Sequence, residues 1–228
     1  VEQLVVPIQG EAGPYRAAFG VVEGKDDEEL NAEGIGRIAD INVGSNDFEV
    51  FEKAYLGFQN LKKSQKLVSS AKLLSICDFS LSSNRKRLWV IDLDEKKVLF
   101  NTLVAHGKGT GEEFATNFSN AEDSHQSSLG FYVTEQTYNG DNGYSMRLFG
   151  MDRGYNDAAL ERCIVMHGAN YVSENFIKSE KRLGRSWGCP AVPTALAKPI
   201  INTIKDKNVI FIYYPDQNYL SSSVWLNA

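Results

Sequence analysis

The chain has 228 residues, 43% of them apolar and 23% charged, with a net charge of −5 at pH 7. That length and mix suit one good-sized core, and the acidic balance without a long basic run argues against nucleic acid as the main partner. No window approaches the roughly 18 apolar residues of a membrane span.

Residues 1–45 carry scattered glycines and an acidic run, Asp26-Asp27-Glu28-Glu29. They read as a solvated lead-in. No signal peptide is visible and the first residue is Val1. A cytosolic chain and a trimmed, exported one both stay open, and the missing Met favours the second. From Asn46 the pattern turns helical. Phe48, Phe51, Tyr55, Phe58 and Leu61 form a stripe of period 3.6, with Asn46 and Glu49 as a capping-box pair. The period then drops to two. Segments 73–79 and 87–93 predict strands, and Asp94-Glu95-Lys96 turns the second into a third over 97–105. A loop over 106–128 follows, rich in Gly, Ser, Asn and Asp; long loops inside compact domains are often functional.

Segments 129–135 and 144–149 predict a second hairpin, its turn marked by Asn139-Gly140 and Asn142-Gly143. A polar connection over 152–160, with helical character, leads to a strand over 163–167. A short helix over 173–180 takes Ser173 as its cap. Another is expected over 194–205, started late or kinked by Pro199. The last strand covers 209–214, and Trp225 offers the polar tail a docking point. Two hairpins and few helices predict a mainly β, mixed α+β fold, without the βαβα alternation of a doubly wound sheet. The organisation is a lead-in over 1–45, one domain over 46–215 and a tail over 216–228.

The chain has three cysteines and three histidines. Cys77 and Cys163 lie in apolar runs and are expected as small buried core residues, with a bridge between them as the alternative. Cys189 differs. It sits in Gly184-Arg185-Ser186-Trp187-Gly188-Cys189-Pro190. Gly188 allows a strained backbone and a close substrate approach, and Pro190 biases Cys189 toward an extended conformation. His167 ends the apolar run that begins at Cys163, on the face shared by residues 163 and 165. A thiol is a useful nucleophile as thiolate, and a nearby imidazole draws its pKa below the free value of about 8.5. The pairing requires Sγ within roughly 3–4 Å of a ring nitrogen.

Amides of Gly188 and Cys189 are candidate oxyanion donors. Zinc-type spacing is missing, so no metal and no organic cofactor is expected. A papain-type protease would place its Cys before its His, and here the order is reversed. The loop His106-Gly107-Lys108-Gly109-Thr110-Gly111 fits no phosphate-binding register. His125 either holds its loop or lines the site.

The stretches His167-Gly168-Ala169-Asn170-Tyr171-Val172-Ser173 and Gly184-Arg185-Ser186-Trp187-Gly188-Cys189-Pro190-Ala191-Val192 resemble the L,D-transpeptidase catalytic domain family (YkuD-like), and within it the murein L,D-transpeptidase subgroup. Supporting stretches are Asp78-Phe79-Ser80, Arg87-Leu88-Trp89-Val90-Ile91-Asp92, Val104-Ala105-His106-Gly107 and Ser127-Ser128-Leu129-Gly130-Phe131-Tyr132. The resemblance covers residues 47–215. It implies a β-sandwich-like core with short flanking helices, acting on peptidoglycan stem peptides in the periplasm or cell envelope. It further implies that Cys189 is the nucleophile and His167 the base. The Gly168 carbonyl would orient the imidazole. Gly188 and Cys189 amides, with Tyr144, would form the oxyanion hole, and Ser186 would shape the turn or assist the His/Cys pair. A tyrosine that merely packs the hairpin is the alternative for Tyr144. Carbapenem-type β-lactams are implied as covalent inhibitors.

Three positions depart from the wider family pattern. Trp187 stands where His is common, Ala191 where Arg is common, and Pro190 where an apolar residue is usual. Arg185 and Arg147 are candidate substitutes for the missing arginine, against the alternative of ion-paired surface side chains. The reading is a cysteine acyltransferase that forms cross-links through a thioacyl-enzyme. An L,D-carboxypeptidase and a non-catalytic peptidoglycan-binding module stay open as alternatives.

Overall fold

The computed structural model describes residues 45–228. Expectations for residues 1–44, and for the side chains of Asn46 and Phe48, lie outside the described residues. The first helix, α1, is Ser45–Lys63 and so begins one residue before Asn46. Its stripe buries Phe51, Ala54, Phe58 and Leu61. This face packs on strands β1 (Leu73–Asp78) and β8 (Val209–Tyr213).

The other strands are β2 (Leu88–Asp92), β3 (Lys97–Thr102), β4 (Gly130–Gly140), β5 (Gly143–Gly150), β6 (Val165–Ala169) and β7 (Ala191–Pro193). Helices α2 (Glu174–Glu180), α3 (Thr194–Ile204) and α4 (Gln217–Ser222) complete the elements used below. The eight strands of the described residues form one sheet in the order β3-β2-β1-β8-β4-β5-β6-β7. Strands β1, β2 and β8 are buried along their whole length, which is why their sequences read as apolar runs without polar alternation. The mainly β class with short helices is what the structure shows, built as a single curled sheet. Its two ends meet: the N–H of Ala105, just beyond β3, donates to Ala191 O of β7 at 2.8 Å, and Gly107 pairs with Ser186. Closure of this kind leaves little open edge at the seam. The stretch 186–191, with Cys189 inside it, lies on that seam.

Two expectations change around β6. The strand begins at Val165, not at residue 163. The connection over 152–160 is a series of turns and not a helix, and it runs on through Cys163. Asp152 organises it. The N–H of Phe131 donates to its carboxylate at 2.7 Å, the Ser223 hydroxyl donates to it as well, and the Asp152 N–H donates to Asn156 Oδ1 at 2.8 Å. The turns close with the N–H of Cys163 on Leu160 O and that of Ile164 on Ala159 O. Backbone bonding thus continues past the point where apolar alternation suggests a strand.

Ser173 caps α2, accepting from the Phe176 N–H at 3.2 Å. Helix α3 starts at Thr194 and holds Pro199 within it, so the late start does not occur. Ala197, Ile200, Ile201 and Ile204 form its buried face, and that packing offsets the backbone bond that proline cannot make. The tail docks through Tyr219, fully buried, and through Trp225, whose Nε1 donates to Met151 O at 2.8 Å.

Candidate active site

Strand β6 carries His167, paired across the sheet with Ser145 of β5 and Ala191 of β7. The imidazole is 4% exposed, and its Nδ1 lies 3.0 Å from Gly168 O. A carbonyl oxygen accepts only, so Nδ1 carries the proton and Nε2 the lone pair of the neutral ring. Burial holds the ring below the ordinary imidazole value of 6.5, against the pull of the Gly168 bond. His167 is therefore a neutral base at pH 7. Gly168 has a packing reason to be glycine: a Cβ there would stand 2.9 Å from Ala197 Cβ and 3.1 Å from Thr194 Cα, where α3 crosses β6.

Cys189 is set by the turn before β7. Gly188 has φ 119, and a Cβ on it would meet Gln126 O at 2.7 Å. Ser186 Oγ accepts from the Gly188 N–H at 3.1 Å and donates to Cys189 O at 2.6 Å. The Ser186 N–H donates to His106 O at 3.0 Å, and Lys108 N–H donates to Ser186 O at 2.7 Å. Since the Gly188 N–H is engaged by Ser186, the amide of Cys189 is the turn's open donor: it has no acceptor among the described residues.

Cys189 is half-buried. Its sulfur accepts from Val165 N–H at 3.4 Å and donates to Cys163 O at 3.8 Å. No hydrogen bond joins it to His167, contrary to the expected thiol–imidazole contact. The register explains this. Parallel pairing sets His167 opposite Ala191, so Cys189, two residues earlier, lies beside Val165. Burial raises the thiol above its ordinary value of 9.0, while the Val165 N–H and the charge of Arg162 pull it down. The resting pair is a neutral thiol and a neutral imidazole.

Cys163 is not the buried strand residue expected. It is exposed, with φ 53 at the end of the turns. Cys77 is buried in the core, its thiol pushed up to about 12 by burial, and both cysteines are free.

The remaining expected residues separate by geometry. The Tyr144 hydroxyl donates to Asn202 Oδ1 on α3 at 2.7 Å, which ties the hairpin to the helix. Arg185 donates to Glu112 Oε1 at 2.6 Å and to Gly111 O at 3.0 Å, and Arg182 shares that carboxylate. It is an ion-paired side chain. Arg147 has no acidic partner among the described residues, and its guanidinium lies 4.8 Å above the Tyr138 ring. It pairs with Val165 as Ser145 pairs with His167. Directly opposed residues share a face, so Arg147 stands on the His167 face, one alternation along the strand. His125 stacks on Trp187, with centroids 4.9 Å apart, beside the thiol turn; the indole itself is 74% exposed.

Sequence reasoning assigned no role to several residues that build this region. Ser127 Oγ donates to Gly188 O at 3.1 Å and accepts from Gly107 N–H at 3.0 Å. Arg87, fully buried, donates to His106 Nδ1 at 2.8 Å and to Val104 O. Burial and the Arg87 charge push His106 down to about 4, so it stays neutral and its Nε2–H faces Gly111 O at 3.3 Å. These bonds fix the carbonyl of His106 on which Ser186 rests. Their only sequence signal was that Ser127, Arg87 and His106 fall in stretches that support the family resemblance. Among the described residues no three His, Cys, Asp or Glu converge as a metal site.

The geometry therefore brings a half-buried cysteine and, both without a partner among the described residues, an imidazole Nε2 lone pair and a backbone amide to one seam. A family model for the L,D-transpeptidase catalytic domain matches residues 43–213. No curated protein sequence matches the chain. Solved structures similar to it include an L,D-transpeptidase from Mycobacterium smegmatis, at 11% identity and TM-score 0.39, over 63% of this chain and 59% of that one. Another is from Stackebrandtia nassauensis, at 15% identity and TM-score 0.38, over 87% and 85%. A third is the L,D-transpeptidase LdtMt1 in complex with imipenem, at 11% identity and TM-score 0.38, over 62% and 59%. The chain thus spans about three-fifths of the length of the first of these.

Proposed function

The chain belongs to the L,D-transpeptidase catalytic domain family, and from that premise we propose that it is a cysteine acyltransferase that cross-links peptidoglycan stem peptides in the cell envelope. The observation that carries the reading is the neutral His167, its Nε2 lone pair open, on the strand beside the Cys189 turn. On substrate binding the Cys189 side chain turns from Val165 N–H toward Nε2; catalytic hydrogen bonds that are loose in a free enzyme tighten in the Michaelis complex. Nε2 takes the thiol proton as sulfur adds to the carbonyl carbon between the L-centre of a diamino acid and the terminal D-residue. The oxyanion that forms is met by the Cys189 N–H, a donor placed where charge develops.

Collapse of the adduct breaks the C–N bond. The D-amino acid leaves with the proton from His167, and a thioester remains. The side-chain amine of a second stem attacks the thioester, gives its proton to Nε2 and restores the Cys189 thiol. Water in place of that amine would make the chain an L,D-carboxypeptidase. Gly168 O accepts from Nδ1–H and holds the ring in the required tautomer, the role that a carboxylate plays in a Ser-His-Asp triad.

A strained β-lactam amide offers the same carbonyl chemistry. Incubation with imipenem is expected to add one inhibitor mass to the intact protein and none to Cys189→Ala. No adduct on the folded wild-type chain overturns the acyl-enzyme reading. A purified tetrapeptide stem, tested with and without an acceptor amine, distinguishes transfer from hydrolysis. A stem that binds without turnover would identify a binding module.

Arg147, without an acidic partner among the described residues and on the His167 face, is proposed to take the stem's carboxylate in place of the arginine missing at Ala191. Arg147→Ala is expected to raise KM for the stem about tenfold with kcat nearly unchanged, the loss of a single charge-assisted bond. Arg185→Ala, which removes a guanidinium already held by Glu112, is expected to leave KM within about twofold. Steady-state kinetics on the two variants check this, and equal effects would refute the assignment.

A further inference from the structure

Arg162 lies half-buried behind the thiol turn. Its Nη1 donates to Ser119 O at 2.8 Å and to Ser128 Oγ; its Nη2 donates to Gln126 O at 2.6 Å and to Ser124 Oγ at 3.2 Å. A Cβ placed on Gly188 would stand 3.3 Å from that same Nη2. One edge of the guanidinium therefore abuts the residue before Cys189. Every acceptor it touches is a neutral carbonyl or hydroxyl, and no carboxylate pairs with it among the described residues. Arginine withdrawn from water normally finds an anion, because a desolvated charge without one is unfavourable.

We infer that Arg162 is a positioning residue whose missing counter-ion is the negative charge that develops at Cys189 during attack. Its fork pins the 119–128 loop against Gly188, and its uncompensated charge stabilises the thiolate across that glycine. The inference rests on Cys189 being the nucleophile of the proposed reaction. Of the other cations near this turn, Arg185 is paired with Glu112 and Lys108 is exposed to solvent. His167 is held neutral. Tyr171, which feels the Cys189 charge, is pushed up to about 12 by burial. Cys163, in the turn before β6, has no cationic form, His125 stacks on Trp187 in the loop, and Tyr132 of β4, whose hydroxyl donates to Ser128 O at 3.0 Å, is buried and raised well above the ordinary phenol range.

The test is the pH dependence of Cys189 alkylation by iodoacetamide, resolved by peptide mass spectrometry because Cys163 is exposed as well. In Arg162→Gln the midpoint is expected to move up by about one pH unit. Arg162→Lys keeps the charge without the fork and is expected to recover more than half of that shift. Ser128→Ala loosens the loop with the charge in place and is expected to leave the midpoint unmoved. A midpoint in Arg162→Gln equal to wild type, or a Lys variant that behaves as the Gln variant does, overturns the inference and leaves a loop clamp. Should Arg162→Gln fail to fold by circular dichroism, the wild-type chain still decides. The rate ratio of anionic iodoacetate to neutral iodoacetamide should be higher at Cys189 than at a free cysteine in a short neutral peptide, and an equal or lower ratio refutes the charge. These readouts concern the sulfur alone, so absence of stem turnover by the wild-type chain with the shift present would sink the proposed function and leave only the charge effect of Arg162 on the thiol standing.

Discussion

Cys189→Ala is expected to lower release of the terminal D-residue from a tetrapeptide stem by at least about 10³-fold, because no acyl-enzyme can form without the sulfur. Cys189→Ser should stay close to that floor. A hydroxyl is a far poorer nucleophile near neutral pH than a thiol, and the buried His167 is a weaker base than a solvated imidazole. The fold should hardly notice either change. The residue is half-buried, and its sulfur's two contacts, at 3.4 and 3.8 Å, are long, so a stability change within about 1 kcal/mol is expected. Cys163→Ser is the matched control. That thiol is exposed, and its one hydrogen bond is to Glu161 O at 3.9 Å, so turnover should remain near wild type. Chromatography of the released amino acid, with urea unfolding alongside, reads both. Unchanged turnover in Cys189→Ala would refute the mechanism.

Local chemistry is what the sequence made legible. Gly188 and Pro190 mark a turn around Cys189, and the 3.6 stripe of Phe51, Phe58 and Leu61 marks α1; both depend on neighbours in the chain. Register is not local. The run Cys163-Ile164-Val165-Met166-His167 alternates as a strand should, yet the turns anchored at Asp152 hold the backbone through Cys163, and β6 begins two residues later. The register of β7 on β6, equally non-local, sets the sulfur beside Val165 and not against the imidazole. Arg162 was silent for a related reason. Its meaning comes from Ser119, Ser124, Gln126 and Ser128, more than thirty positions away, and from the closeness of Gly188. Arg185 and Arg147 looked equivalent as residues, and only Glu112 separates them. Closure of the sheet at Ala105 and Ala191 likewise has no signature in either segment alone.

The second large effect is expected at His167, in the shape of a pH profile as well as its height. The base must be neutral to accept the thiol proton. Burial lowers its pKa below 6.5, so kcat/KM should climb with pH along a limb whose midpoint lies below that value and be level by pH 7. The thiol, raised above 9.0 by its own burial, is un-ionised across this range. The plateau therefore reports transfer from thiol to imidazole, not a pre-formed thiolate–imidazolium pair. An ion pair would invert both directions, with the imidazole raised above 6.5 and the thiol depressed below 9.0. His167→Ala is expected to lose about 10²–10⁴-fold at pH 7. What remains should lack the acid limb and rise as the solution approaches the thiol's own ionisation, since hydroxide then replaces the missing base. A wild-type midpoint above 6.5 would overturn the neutral resting pair, and an Ala variant that keeps the limb would show that the proton moves by another route. The second result would leave Cys189 as nucleophile and remove His167 from the transfer.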